Sequence, residues 1–417
     1  MATDPLLPGL PLSRLVALLL VVIVVAVGAL RARPPTHVTI EVGPIGGSYQ
    51  QTALRYQAFF AARGIELEIR PKANSLEILK DVADAASGID IGFEAQDVSG
   101  YRDSNALTVG HIQLQPLFIF ASADLGRRIA LTDLRGRKIV MPPSDSATSD
   151  AAVRMLQLYD ITPDNSTFTF MPLADAAKEL RAGHFHAGAF MLAPENAVIR
   201  GLMAWSGLRL LAVPEAKAIA NHLPFLRPVV LPRGIYDIAD GIPPTDVAML
   251  AGTVDVVVRK DLHPAVVYAL LDAMVEVHRG ATFLSSAGAY PTVVGTELTI
   301  HPLAQQYYLS GKPWIYRELP PWLASFVDRY FLVALGIFVL GEIVRNAGYF
   351  ARFASFALGS LAVWMLRGAY RSVVRNGRLS GPQRLLVRAA ERLSHPTSVS
   401  TRIDDLLAGI RGRQTGA

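Results

Sequence analysis

VTIEVGPIGGSYQQTALRYQAFF (residues 38–60) runs from an alternating strand through a Gly-Gly-Ser turn into an apolar-periodic helix. A strand–turn–helix of this kind aims several backbone N–H groups and a helix N-terminus at one point in space. That point suits a carboxylate or another anionic head group without needing a charged side chain. Taken alone, Gly43, Gly46 and Gly47 also fit a plain tight turn. The rest of the chain has to decide between a turn and a site.

Short apolar strands alternate with helical stretches downstream. Residues 38–42 read as a strand and 49–63 as a helix; 66–70 is a second strand, and 75–86 a helix capped by Asn74 or Ser75. Residues 89–93 (IDIGF) form another strand, and 114–121 (LQPLFIFA) an apolar strand that Pro116 marks as an edge or a bend. This alternation predicts parallel sheet flanked by helices, whose ligands bind beyond the C-terminal strand ends. The Gly-Gly-Ser turn and the Gln96-Asp97 pair both lie just after such strands.

A second unit repeats the plan. A strand at 138–141 meets the polar loop Ser144-Asp145-Ser146-Ala147-Thr148, which opens a helix through Tyr159. A helix at 174–182, a strand at 187–191 ending in Leu192-Ala193-Pro194, a strand at 255–258 and a helix at 264–277 follow. Two small sheets, each with a polar loop after a strand, imply two lobes closing on one ligand.

Composition narrows the class. The 417 residues suffice for two or three domains, and there is no cysteine, which excludes disulfides, thiolate catalysis and Cys-based zinc sites. The net charge of +5 is uneven. Residues 36–320 carry 24 Lys and Arg against 29 Asp and Glu, a net of −5, whereas 345–417 carry 12 Arg and 3 acids, a net of +9. A mildly acidic body with an arginine-rich end fits a membrane-oriented protein better than a nucleic-acid binder.

Two hydrophobic segments frame the body. Residues 15–30 are 16 uninterrupted apolar residues, readable as an uncleaved anchor or as a cleaved signal peptide. The second runs through FLVALGIFVLGEIV to Val344, with Trp314 and Trp322 before it and Arg345 after it. The positive-inside rule then places the arginine-rich tail in the cytoplasm and residues 36–320 outside. Residues 353–366 are too short and interrupted to span and read as an interfacial or packed helix. The last stretch reads either as an amphipathic helix on an anionic leaflet or as a solvated helix.

Five stretches in order resemble one family, the TAXI solute-binding proteins of TRAP transporters. VGPIGGSY resembles their first loop, KANSLEIL their second, and IDIGFEAQDV their strand ending in a polar–acidic turn. LTDLRGRKIVMPPSDSATSDAAVRML resembles their strand, Gly-Ser-Gly-Thr loop and helix, and HPLAQQYYLSGKPWIYRELPPWLASFVDRYFLVAL the end of C-terminally anchored members. The resemblance implies an α/β class II periplasmic-binding-protein fold, two lobes with a cleft, flanked by N- and C-terminal membrane helices. By domain, residues 1–35 are a signal anchor or signal peptide and 36–320 the bilobal solute-binding domain. Lobe 1 covers about 36–121 and 225–320, and lobe 2 about 122–224. Residues 321–346 would be a transmembrane helix and 347–417 a basic amphipathic cytoplasmic tail.

The implied function is that of a membrane-tethered extracytoplasmic receptor, non-enzymatic and without cofactor or metal. It would deliver a small carboxylate-containing solute, of amino-acid or dicarboxylate type, to a TRAP-type permease. Its place would be the bacterial inner membrane, binding domain outward, with lipid contacts through the helices and basic tail and no nucleic-acid partner. A ligand sensor signalling through its membrane helix is the alternative. Carried over by position, Gly46, Gly47, Ser48, Tyr49, Asn74, Ser75, Gln96 and Asp97 would line the cleft from lobe 1. Ser144, Ser146, Thr148 and Pro194 would face them from lobe 2. Ser144, Asp145 and Ala147 stand where the family has a glycine-rich loop, and Ala73-Asn74 where it has Gly-Gly. These loops are therefore bulkier and less free at positive φ, and Asp145 would repel an anion if it faced inward.

Other constellations carry less. His184 and His186 offer half a metal site, but a surface or strand–turn pair explains them as well. Ser144, Ser146 and Ser149 lack a Gly-x-Ser-x-Gly elbow. Asp97 reads as a helix cap or ligand contact rather than a general base. Glu342 is expected to pair with Arg345 at i+3.

Overall fold

A computed structural model describes residues 27–28, 33–126, 128–345, 347–376, 381–392 and 397–414. The chain divides into two compact units, residues 1–328 and 329–417. In the first, β1 (His37–Val42) passes into α1 (Ser48–Ala61), then β2 (Glu66–Pro71), α2 (Ile78–Ala83) and β3 (Ile91–Glu94). β1 pairs in parallel with both β2 and β3. Val38, Ile40, Val42, Ile91 and Phe93 are fully buried. Thr39 and Glu41 between them are buried as well, so β1 is covered on both faces although its apolar residues alternate. The helix expected at 75–86 is shorter: a 3₁₀ turn over Ser75–Glu77 leads into α2.

The second lobe repeats the plan. β4 (Ala106–Ser122) crosses into it, followed by β5 (Lys138–Met141), α3 (Ala147–Leu158), β6 (Thr167–Phe170), α4 (Leu173–Arg181) and β7 (Ala187–Met191). α5 (Ala197–Met203), β8 (Leu208–Leu210), α6 (Ala216–His222) and β9 (Leu226–Leu231) lead to β10 (Val247–Arg259), which returns. The strand order is β2-β1-β3-β10-β4-β7-β5-β6, with β8 on β4 and β9 on β10. Each lobe thus holds three parallel strands in the order second, first, third, closed by one antiparallel strand. That closing strand is β10 in lobe 1 and β4 in lobe 2. Two long strands therefore belong to both lobes and form the hinge. This is the two-lobed α/β architecture expected of a periplasmic-binding-protein fold.

Two boundaries differ from the sequence reading. Pro116 does not mark an edge: residues 106–116 of β4 pair with β10, and 117–121 pair with β7. The proline sits at the handover between partners, a position that tolerates a residue lacking an N–H. Leu231, Val247 and Met249 pack with Phe118, Phe120 and Phe190 of lobe 2. The chain therefore returns to lobe 1 inside β10, later than residue 225. Lobe 1 is completed by α7 (Pro264–His278), α8 (Pro302–Ser310) and α9 (Trp314–Glu318).

α10 (Pro321–Arg345) covers the segment expected to cross a membrane. Phe331, Leu332, Ile337 and Phe338 on it are exposed. Among the described residues no helix is long and apolar enough to cross a membrane. Of the N-terminal hydrophobic segment only residues 27–28 are described, so the anchor and signal-peptide readings lie outside the described residues. The second unit holds α11 (Ala347–Asn376), α12 (Gly381–Arg392) and α13 (Thr397–Gln414). Ala362, Val363, Leu366 and Ala369 of α11 bury against Ile403 and Ile410 of α13. Within residues 353–366, Ala362, Val363 and Leu366 are thus packed while Phe353, Phe356, Leu361 and Trp364 are exposed, and the tail is three helices rather than one.

Candidate functional site

The strand-end loops of the two lobes meet directly. Ser48 Oγ accepts a hydrogen bond from Ala193 N at 3.0 Å, and Ser75 Oγ accepts one from Ala147 N at 2.9 Å. Asn196 Nδ2 donates to Gly46 O at 3.2 Å, and Leu76 N to Asp145 O at 3.4 Å. At the rim Arg154 Nη2 lies 3.4 Å from Asp97 Oδ2. Ala147 is the first residue of α3, so its N–H is one of the free donors of that helix N-terminus. A lobe 1 hydroxyl satisfies it. The donors that the sequence placed at an anion site are therefore partly occupied across the cleft.

Between these contacts remains a cavity of about 40 Å³, roughly the share of one or two waters. Gly47, Ser48, Tyr49, Ser75, Ser146 and Thr148 line it, together with Gly43, Gln115, Met191 and Leu192. Tyr49 leans on Phe93, with ring centroids 5.4 Å apart. Burial, reinforced by the nearby Glu94 and Asp255 carboxyls, holds its hydroxyl well above the usual tyrosine range. Ser146 caps α3 by accepting from Ser149 N, and Thr148 Oγ1 donates to Met191 O at 3.5 Å.

The other expected residues lie around the cavity without lining it. Gly46 takes φ +82° and donates its N–H to Gln50 Oε1. Gln96 donates its side-chain amide to Leu76 O. Asp97 accepts from Ser99 N at 3.1 Å, which, with Ser99's side chain and Arg154, holds its carboxyl below the usual range. Pro194 O accepts from Tyr236 Oη, Ser144 is exposed, and Asn74 Oδ1 is buried without a partner.

A larger chamber of about 230 Å³ opens beside the Ser48–Ala193 contact. Lobe 1 contributes Gln51, Thr52 and Arg55 from α1 and His278 from α7; lobe 2 contributes Glu195 and Asn196; the hinge contributes Gln113. Arg55 makes no ion pair or hydrogen bond among the described residues. Glu195 Oε1 accepts from Phe283 N at 2.8 Å. Gln113 Nε2 and Gln115 Nε2 are buried with no partner. Burial, and then Arg55, lowers the His278 imidazole to about 4, so it is neutral at pH 7 and shares a 3.0 Å hydrogen bond with Tyr56 Oη. Arg55, Glu195, Gln113 and His278 escaped the sequence reading because the chamber draws on four distant segments. The one local signal was the polar alternation His111-x-Gln113-x-Gln115 beside an apolar run.

The side candidates resolve into local bonds. His184 Nδ1 lies 2.6 Å from Glu179 Oε2, and His186 Nδ1 accepts from Lys138 N. Among the described residues no group of three His, Cys, Asp or Glu could hold a metal. Ser149 Oγ donates to Pro142 O at 2.8 Å. Arg345 donates to Glu342 at 2.6 Å, as the i+3 spacing requires.

Residues 103–309 match the NMT1-like family model. No curated protein matches the sequence. Among solved structures, the chain is similar to a protein from Bordetella bronchiseptica RB50, at 17% identity and a TM-score of 0.41, over 59% of this chain and 71% of that one. It is also similar to an ancestral arginine-binding protein bound to arginine, at 11% identity and a TM-score of 0.39, over 60% of this chain and 96% of that one. The periplasmic aliphatic sulphonate binding protein of Escherichia coli aligns at 14% identity and a TM-score of 0.36, over 58% of this chain and 69% of that one. The two crossing strands and the repeated strand order give the chain a two-lobed α/β fold of the periplasmic-binding-protein type.

Proposed function

We propose that the protein is an extracytoplasmic receptor for a small solute carrying a carboxylate, and that it delivers this solute to a TRAP-type permease. The observation that carries the reading is the inter-lobe chamber with the unpaired Arg55 on one wall and Glu195 and Asn196 on the other. A guanidinium grips a carboxylate in bidentate fashion, and Asn196 and Gln113 can orient the remainder. Glu195 favours solutes with a positive end, hence amino acids over dicarboxylates. The exposed apolar residues of α10 and the arginine-rich end support association with a membrane surface, with the receptor domain facing outward.

Calorimetric titration of the full chain with amino acids, dicarboxylates and keto acids tests the receptor reading. At least one amino acid should bind saturably, and Arg55→Gln should weaken it by about tenfold or more, the loss expected for one charge-assisted bond. Absence of binding across all three classes would end the proposal. Uptake of the bound solute by vesicles holding a TRAP-type permease, dependent on added receptor, tests the delivery step.

A further inference from the structure

The hinge strands have two faces, and only one of them meets the cleft. Gln113 lies opposite Val254 across the β4–β10 ladder, but His111 lies opposite Asp255, because β4 holds one extra residue there. Successive residues of β10 face opposite sides, so this bulge turns His111 away from Gln113 and Gln115. His111 instead shares a face with Thr253 and Asp255. Gly110 makes the turn possible: its φ is +127°, and a Cβ there would lie 2.8 Å from Tyr308 Oη and 2.9 Å from Thr292 O.

On that second face is a chamber of about 480 Å³, which shares no lining residue with the cleft cavity or the Arg55 chamber. His111 and Thr253 line it from the hinge, Arg227 from β9, and Ser285, Tyr290 and Thr292 from the segment after α7. That segment is fixed to the hinge, since His111 N donates to Thr292 O at 2.7 Å and Thr292 N to His111 O at 3.0 Å. Arg227 is held at the rim by donating to Gly295 O at 2.9 Å. Gly295 has φ +81°, and a Cβ there would come within 2.7 Å of the guanidinium.

Two polar atoms beside the chamber lack a partner. His111 is 4% exposed, its Nδ1 lies 2.9 Å from Asp255 Oδ1, and its Nε2 has no hydrogen-bond partner. Thr253 Oγ1 is buried and also without a partner. A buried polar atom left without a partner costs about 1–3 kcal/mol, so both atoms favour a polar guest in the cavity. Burial raises the Tyr290 hydroxyl, which therefore stays a donor. No carboxylate side chain lines the space; a guanidinium, an imidazole and hydroxyls do.

We propose that this chamber is a second binding site, for a small oxyanion held by Arg227 at the rim with Thr253 Oγ1 beneath it. The ligand class is carboxylate, sulfate or phosphate. Its position on β4 and β10 places it on the hinge itself, and the proposal does not depend on which solute the cleft takes.

Titration of the full chain with sodium acetate, sodium sulfate and inorganic phosphate, at ionic strength matched with chloride, tests it. At least one should bind saturably. Arg227→Gln should weaken it about tenfold or more, and Thr253→Val about threefold to tenfold, as expected for a charged and a neutral hydrogen bond. Thr253→Val should leave the melting temperature without oxyanion unchanged or raised, because the lost hydroxyl has no protein partner; this separates a lost ligand contact from misfolding. Arg55→Gln should leave oxyanion binding intact. Absence of saturable binding by all three anions, or equal binding by wild type and both hinge-face variants, would overturn the proposal. If Arg55→Gln alone abolished binding, the oxyanion would lie in the cleft; the hinge site would then fall and the receptor reading would stand.

Discussion

The two strand-end loops that face each other across the cleft follow one plan with opposite chemistry. In lobe 1, Gly47 caps α1 without a side-chain bond, and the loop sends hydroxyls outward from Ser48 and Ser75. In lobe 2, Ser146 turns its hydroxyl inward to cap α3, and the loops present N–H groups at Ala147 and Ala193. Apart from Leu76 N, which donates to Asp145 O, lobe 1 supplies acceptors and lobe 2 supplies donors. Polar complementarity of this kind lets the lobes close on each other as well as on a solute, so closure and solute compete for the same groups.

The comparison breaks most severely where lobe 1 loses the packing behind its loop. Phe93 is fully buried and lies against both Tyr49 and Tyr56, at 5.4 and 6.0 Å between centroids. Phe93→Ala should cost about 4 kcal/mol in chemical denaturation. Because Tyr49 loses its support, any solute affinity of the cleft should fall as well. Phe190 is the lobe 2 counterpart, fully buried on β7 beside Phe120. Its truncation should cost a similar amount while leaving the Tyr49 wall in place.

Next in size is a pH effect confined to lobe 1. The unfolded imidazole of His278 takes up a proton near 6.5, whereas in the folded chain it resists until about 4. Stability is therefore intact above pH 6.5, falls between 6.5 and 4, and levels off below. A shift of this size corresponds to about 3 kcal/mol. Glu41 acts in the opposite direction: burial raises its carboxyl to about 7, so its contribution falls as pH rises from 4.5 to 7. The useful measurement is the difference between wild type and His278→Gln. That difference should be flat above pH 6.5 and shrink toward pH 4; a flat difference throughout would remove His278 as the cause.

How much of this was legible in the sequence depends on the range of the interactions. Residues 38–42, 66–70, 138–141 and 187–191 read correctly as strands because their apolar and β-branched residues carry the signal locally. Six of the twelve loop residues named from the resemblance surround the small cavity. Gly46, Gln96, Asp97 and Pro194 bond within turns or to neighbouring elements, Asn74 Oδ1 is buried without a partner, and Ser144 is exposed. The first half of β4, residues 106–113, was missed, because Gly110 and the polar positions break the apolar pattern, and its partner β10 lies some 140 residues away. The alternation His111-x-Gln113-x-Gln115 suggests one polar face; only the bulge, a tertiary feature, sends His111 to the other.

Smaller effects should separate the donors from the acceptors. Ser75→Ala leaves Ala147 N without its acceptor, and Ser48→Ala does the same to Ala193 N. Each should cost about 1–2 kcal/mol and should also widen the cleft, read as a larger radius of gyration in solution scattering. Ser146→Ala removes a cap within lobe 2 and should cost about 1 kcal/mol without changing that radius. An unchanged radius in the Ser48→Ala, Ser75→Ala double variant would show that closure does not rest on these bonds.

The rim pair should matter least. Arg154 reaches Asp97 across the lobes at 3.4 Å, but both side chains are more than a third exposed or nearly so. Water screens such a pair, and its typical worth is about 0–1 kcal/mol. Arg154 also stacks over Phe225, 4.6 Å from the ring centroid, and that contact survives in salt. Asp97→Asn should therefore change stability by about half a kcal/mol or less, and the change should vanish at high salt. Arg154→Ala should retain a residual loss at high salt from the stacking. If both variants lost the same amount at every salt concentration, the pair would be acting through hydrogen-bond geometry rather than charge, and the rim would belong with the Ser48 and Ser75 contacts.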